Sequence, residues 1–143
     1  MRCGDVMSTN IECCFANETL QQAAARMRFR NVGFLPVLSF EGQLVGTITD
    51  RDIAVRAVAD GLSPTRAVVG QVMSTGVVYV HPDEPLSRAE DRMMRFHKSR
   101  VVVVDRRGRP LGVISLSDVA EEEWSWRAGT VLKSVSDREA GLH

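Results

Sequence analysis

"VMST" stands at residues 6–9 and again at residues 72–75, an offset of 66 positions. At that offset residues 4–53 slide onto 70–119 without a gap. Identical pairs include Gly4/Gly70, Glu18/Glu84, Leu20/Leu86, Ala23/Ala89, Arg26/Arg92, Met27/Met93, Val37/Val103, Gly42/Gly108, Gly46/Gly112, Ile48/Ile114 and Asp52/Asp118. Thr49 falls on Ser115, so the hydroxyl is kept while the residue changes. A fixed-period match of this length means one structural unit used twice.

Both copies carry the same local signals. A short β-branched or cysteine-rich strand follows VMST ("IECCF", 11–15; "VVYVH", 77–81). A helix then starts near Thr19, whose Thr-x-x-Gln spacing forms a capping box, and near Pro85, a residue suited to a first helical turn. Leu20, Ala23, Ala24 and Met27 recur at helical spacing, and Leu86, Ala89 and Met93 repeat the stripe. The runs "VGFLPVL" (32–38) and "RVVVVD" (100–105) predict middle strands. Turns at Gly42 and Gly108 lead into "QLVGTIT" (43–49) and "PLGVIS" (110–115), and "DRDIAVRAVA" (50–59) and "SDVAEEEW" (117–124) close each unit as helices. The unit is β-α-β-β-α. Residues 1–59 form the first motif, 60–69 a linker marked by Asp60-Gly61 and Ser63-Pro64, and 70–122 the second motif. Residues 123–143 form a helical extension and tail, in which Gly129 marks a helix end; either Trp124 packs on the module and Trp126 is partly exposed, or the two form a dimer or partner contact.

The totals exclude several classes. Of 143 residues, 44% are apolar and 25% charged, the balance of an ordinary globular protein. No apolar run approaches the ~20 residues of a membrane-spanning helix. The N-terminus lacks the apolar core of a signal peptide, and three cysteines, two adjacent, make a poor disulfide framework. A cytoplasmic location is expected. With 18 basic and 18 acidic residues the formal net charge is zero, which speaks against nucleic acid as a partner. No C-x-x-C pair exists, so no metal site is expected. No nucleophile elbow, zinc-protease signature or P-loop appears, so no catalytic residue is assigned and an enzyme is not expected. Helix 52–59 is apolar on most sides, and helix 86–96 adds Met93, Met94 and Phe96. Either a homodimer covers these surfaces or the two halves bury them alone.

The tandem unit with "VMST", "FLPVL" and "GTITDRDI" resembles the cystathionine β-synthase (CBS) domain family, over residues 4–119. The resemblance implies an α+β fold in which two β-α-β-β-α repeats pack with pseudo-twofold symmetry into one module, here a stand-alone pair. It implies homodimers and a regulatory rather than catalytic role. Such modules bind adenosine compounds between the motifs, most often AMP, ADP or ATP and in some members S-adenosylmethionine or NAD. An empty dimerisation module is the competing expectation.

Thr49-x-x-Asp52 and Ser115-x-x-Asp118 support two readings at once. As capping boxes they need nothing else. As ligand groups, the hydroxyl donates to a phosphate oxygen, whereas the carboxylate repels phosphate and suits the paired hydroxyls of a ribose. Helix starts offer free N–H groups to anions. Gly46 and Gly112 lack side chains, which lets a ligand approach their backbone. The family pattern G-x-x-[ST]-x-x-[DN] implies the same roles. By resemblance, Ile11, Val77 and the middle strands around Pro36 and Val102 supply an apolar adenine slot, though as strand residues they also serve a core. Arg100 is either a phosphate contact that equips the second half better for phosphate or an exposed strand-end charge; Phe34 holds its place in the first half, where Arg51 could compensate, and Ser117 holds the place of Arg51 in the second.

Overall fold

Thr19 begins the first long helix because its Oγ1 accepts the Gln22 amide at 3.1 Å while Gln22 Oε1 accepts the Thr19 amide at 2.9 Å. That closed pair satisfies two amides that a helix start leaves open. In the computed structural model, which describes residues 1–141 (without the side chains of 125–127, 130, 132 and 134–141), this helix is α2, Leu20–Arg30. Its buried face is Leu20, Ala23 and Met27. It ends where Asn31 turns left-handed at φ 52°. The second repeat copies it as α4, Leu86–Phe96, with Leu86, Ala89 and Met93 inward and His97 at φ 53° as the end.

The strands follow in the expected order. In the first half β1 (Cys14–Phe15), β2 (Phe34–Leu38) and β3 (Leu44–Thr49) form a three-stranded sheet in the order β1-β2-β3. In the second half β4 (Tyr79–Val80), β5 (Arg100–Val104) and β6 (Pro110–Ser115) repeat it. In both, the first pair is parallel and the second antiparallel. Pro36 sits in a central strand without harm, since β1 pairs only from Val37 onward. The turns at Gly42 and Gly108 need φ of +82° and +81°, which glycine adopts at no steric cost.

Four features differ from the sequence reading. A short helix α1, Cys3–Val6, and a 3₁₀ turn, Val69–Gln71, precede the two VMST segments. The closing helix of the first half is one α turn, α3 (Asp50–Asp52), continuing as a π-helix over Ile53–Val58. The closing helix of the second half, α5, runs Leu116–Gly141 and does not stop at Gly129. A glycine inside a helix costs only about 1 kcal/mol, which the surrounding helix formers absorb. Trp124 is 72% exposed and does not pack on the module; the side chain of Trp126 lies outside those described.

The described residues form two hydrophobic cores, and each takes a piece of the other half. Leu35, Val37, Ile48 and Leu20 build the first, together with Ala67, Val69 and Val72. Val101, Val103, Ile114 and Leu86 build the second, together with Cys3 and the flanking Val6 and Met7. Backbone bonds fix the exchange. Cys3 N–H donates to Glu84 O and Gly4 N–H to Pro82 O, at 2.8 and 2.9 Å. Val69 N–H donates to Glu18 O and Gly70 N–H to Ala16 O, at the same two distances. Each VMST serine then adds a bridge to the far sheet: Ser8 with Val113, and Ser74 with Thr47. Every one of these contacts maps onto its mate under the 66-residue offset, so the halves are related by a pseudo-twofold axis.

Candidate functional site

Both strand–helix junctions are complete capping boxes. Thr49 Oγ1 accepts the Asp52 amide at 3.1 Å, and Asp52 Oδ2 accepts the Thr49 amide at 2.9 Å. Ser115 Oγ accepts the Asp118 amide at 3.1 Å, and Asp118 Oδ2 accepts the Ser115 amide at 2.8 Å. Caps of this kind contribute about 0.5–2 kcal/mol. They also lock the carboxylates: one oxygen is held by backbone, and the side chain keeps a fixed direction. Ser115 Oγ lies 2.9 Å from Ser117 Oγ. Arg56, one turn beyond Asp52, approaches Asp52 Oδ1 at 3.9 Å and donates to Val72 O at 3.0 Å and Ser74 Oγ at 3.3 Å.

These junctions open onto two clefts, and each cleft draws on both halves. The first, about 330 Å³, brings Ile11 and Pro36 of the first half to Arg100, Ser115 and Asp118 of the second. Ser8, Asn10 and Glu12 line the same cleft. Pro36 is fully buried and forms its floor, so its role is mainly packing. The second cleft, about 400 Å³, brings Thr49 and Asp52 to Ser74, the loop His97–Ser99 and Arg100 at the start of β5. Thus five of the sequence-chosen residues meet in one cleft and three in the other, with Arg100 common to both. Arg100 is not an attribute of one half: its guanidinium sits 5.6 Å from the Phe34 ring centroid, a cation–π contact between two positions that are mates under the offset. Val77 lines neither cleft. It lies in a third groove of about 560 Å³ with Tyr79, His81, Arg106 and Arg107.

Gly46 and Gly112 have a different use from the one their sequence position suggests. A Cβ on Gly46 would lie 2.6 Å from Met73 Sδ and 2.9 Å from Ser74 O. A Cβ on Gly112 would lie 2.7 Å from Ser8 O and 2.9 Å from Met7 Sδ. The room these glycines leave is filled by the exchanged VMST segments of the protein itself.

Sequence reading missed Arg56, His97, Lys98 and Ser74. The signal for His97–Ser99 was present: a left-handed helix end just before a middle strand puts a short loop on the cleft rim. Arg56 was visible as the basic residue four positions after Asp52. Beside the first cleft, Arg26 binds Glu18 and the cleft-lining Glu12 at 2.9 and 2.8 Å. Burial, helped by Glu12, raises the Cys13 thiol to about 11; burial, helped by Glu18, raises Cys14 to about 12. Both thiols stay protonated near neutrality. Among the described residues no group of three or more His, Cys, Asp or Glu side chains is placed to hold a metal ion, and no helix is long and apolar enough to cross a membrane.

Comparison with known proteins gives consistent matches. The CBS domain family model matches residues 3–58 and 69–125. The CBS domain-containing protein YhcV of Bacillus subtilis is 37% identical over 136 residues, covering 92% of this chain and 93% of that protein. Hypoxic response protein 1 of Mycobacterium tuberculosis is 32% identical over 116 residues, covering 81% and 80%. A crystal structure of Hypoxic Response Protein I with two coordinated zinc ions superposes with a TM-score of 0.78 at 30% identity, covering 85% of this chain and 98% of that one. The CBS domain pair of protein MJ0100, in complex with 5′-methylthioadenosine and S-adenosyl-L-methionine, superposes with a TM-score of 0.77 at 27% identity, covering 87% and 97%.

Proposed function

Since this chain belongs to the CBS domain family, with two copies of the motif, we propose that it is a regulatory module binding adenosine nucleotides in the two clefts between its halves. The observation that carries the proposal is the makeup of the first cleft. An apolar wall from one half (Ile11, Pro36) faces a fixed hydroxyl–carboxylate pair from the other (Ser115, Asp118). Apolar slot and carboxylate correspond to base and ribose, and the hydroxyl is a donor for whatever group the ribose carries at its 5′ position. A ligand spanning both walls would bind one relative placement of the halves better than another. It could shift that equilibrium only by the difference in affinity. An unidentified partner protein would read the shift. The methylthioadenosine and S-adenosylmethionine found in the MJ0100 pair support the adenosyl part and favour S-adenosylmethionine as a second candidate ligand, with NAD sharing the same recognition groups. The reading assigns the chain no catalytic step. Three free cysteines fit a reducing compartment such as the cytoplasm.

A homodimer belongs to the same proposal. Val55 and Val58 on the π-helix are 53% and 70% exposed, and Met94 on α4 is 68% exposed. The two halves therefore leave open the surfaces that the sequence marks for burial. Sedimentation at micromolar concentration should give twice the 15.8 kDa chain mass, and a monomer would remove this part of the reading.

Ligand binding is tested by thermal unfolding with AMP, ADP, ATP, NAD and S-adenosylmethionine. At ~100 times the dissociation constant a ligand adds ~2.7 kcal/mol. At roughly 2–4 °C per kcal/mol for a chain of this size the midpoint should rise by about 5–10 °C. An unmoved midpoint with all five would leave an empty dimerisation module.

A further inference from the structure

We propose that the two clefts sort adenosine ligands by charge. The cleft of Thr49 and Asp52 takes a nucleoside di- or triphosphate, and the cleft of Ser115 and Asp118 takes an adenosyl compound without a phosphate chain. This rests on the adenosine reading above and assigns a ligand class to each of its sites.

The argument comes from pseudo-twofold mates that differ in charge. Arg51, Arg56 and Lys98 line the Thr49 cleft. Their mates under the 66-residue offset are Ser117, Glu122 and Val32. The Asn31 of one rim becomes His97 on the other. Arg100 lines both clefts and does not distinguish them. Without it, the Thr49 cleft holds three permanent cations against one acid, Asp52. The Ser115 cleft holds none, against Glu12 and Asp118. Glu12 is answered by Arg26 at 2.8 Å and by Arg30 at 3.7 Å, neither of which lines the cleft, whereas no basic side chain among the described residues pairs with Asp118.

The acid in each cleft points the same way. Asp52 is held at one oxygen by the Thr49 amide and faces Arg56 at the other, so its repulsion of a phosphate chain is largely offset. Asp118 has the amide but not the arginine, and it would oppose a phosphate chain at close range. Arg51 and Lys98 have no ion-pair partner among the described residues. Two unpaired cations beside a concave wall concentrate field on whatever enters. A phosphate chain is the adenosine substituent that uses them.

Titration calorimetry with ATP and with adenosine tests this. Wild type should bind ATP roughly tenfold or more tightly than adenosine, with the gap shrinking as salt rises from about 50 to about 500 mM. The variant Arg51→Gln/Lys98→Gln changes only exposed side chains and should keep the wild-type melting midpoint. It should lose roughly tenfold in ATP affinity and stay within about twofold for adenosine. Unchanged ATP affinity in that variant, or equal wild-type affinity for the two probes, would overturn the sorting while leaving the adenosine reading intact. Binding of neither probe would overturn both.

Discussion

Gly112→Val should lower the unfolding midpoint by roughly 4–24 °C. Its Cβ would sit 2.7 Å from the carbonyl oxygen of Ser8, a backbone atom that cannot swing aside. That carbonyl accepts the Val113 amide at 3.0 Å, and the Ser8 amide donates to Val113 O at 2.9 Å. Relieving the clash means drawing the exchanged segment off β6 and giving up both bonds. Overpacking costs about 1–3 kcal/mol, and each lost bond adds about 0.5–1.5 kcal/mol. The total of roughly 2–6 kcal/mol converts at about 2–4 °C per kcal/mol to about 4–24 °C. Gly76→Ala is the control, since a Cβ there meets nothing within 4 Å. It should move stability by less than about 0.5 kcal/mol. Equal midpoints for the two variants would mean the crossover is not tightly packed.

The second large effect concerns affinity. Asp118→Asn keeps an oxygen that can accept the Ser115 amide, so the helix start survives. It removes the charge that would accept two ribose hydroxyls. A hydrogen bond to a charged group contributes about 1.5–3 kcal/mol. At about 1.4 kcal/mol per decade, adenosine affinity should fall roughly tenfold to a hundredfold. Asp118→Ala should show the same affinity loss together with a stability loss of about 0.5–2 kcal/mol from the broken cap. Calorimetry and thermal unfolding on both variants separate the roles. Wild-type affinity in Asp118→Asn would reduce the carboxylate to a cap and nothing more.

The repeat made most of the fold legible. Two copies at one offset fix the element order, and the apolar stripe Leu20, Ala23, Met27 gives the buried face of α2 directly. The capping boxes were readable because they are local: three residues and two hydrogen bonds decide them. Non-local features were hidden. Nothing near Gly46 announces that Met73 and Ser74 fill its missing side chain, since those residues lie one repeat away. Pairing Ile11 and Pro36 with Ser115 and Asp118 also needs the axis that relates the halves. The π-helix over Ile53–Val58 escaped for another reason: the winding is rare, and an apolar run broken only by Arg56 predicts a helix without predicting its pitch. Gly129 misled because helix-end signals are weak beside the continuing helix formers around it.

The reciprocal crossover of residues 1–9 and 67–75 has an ancestral corollary. A peptide of half this length, meeting an identical copy, would swap the same segments and close the same two cores without any connection at 60–66. In such a pair position 34 would meet its own copy, so the facing of the Phe34 ring by the Arg100 guanidinium needs the tandem chain, in which the two positions can differ.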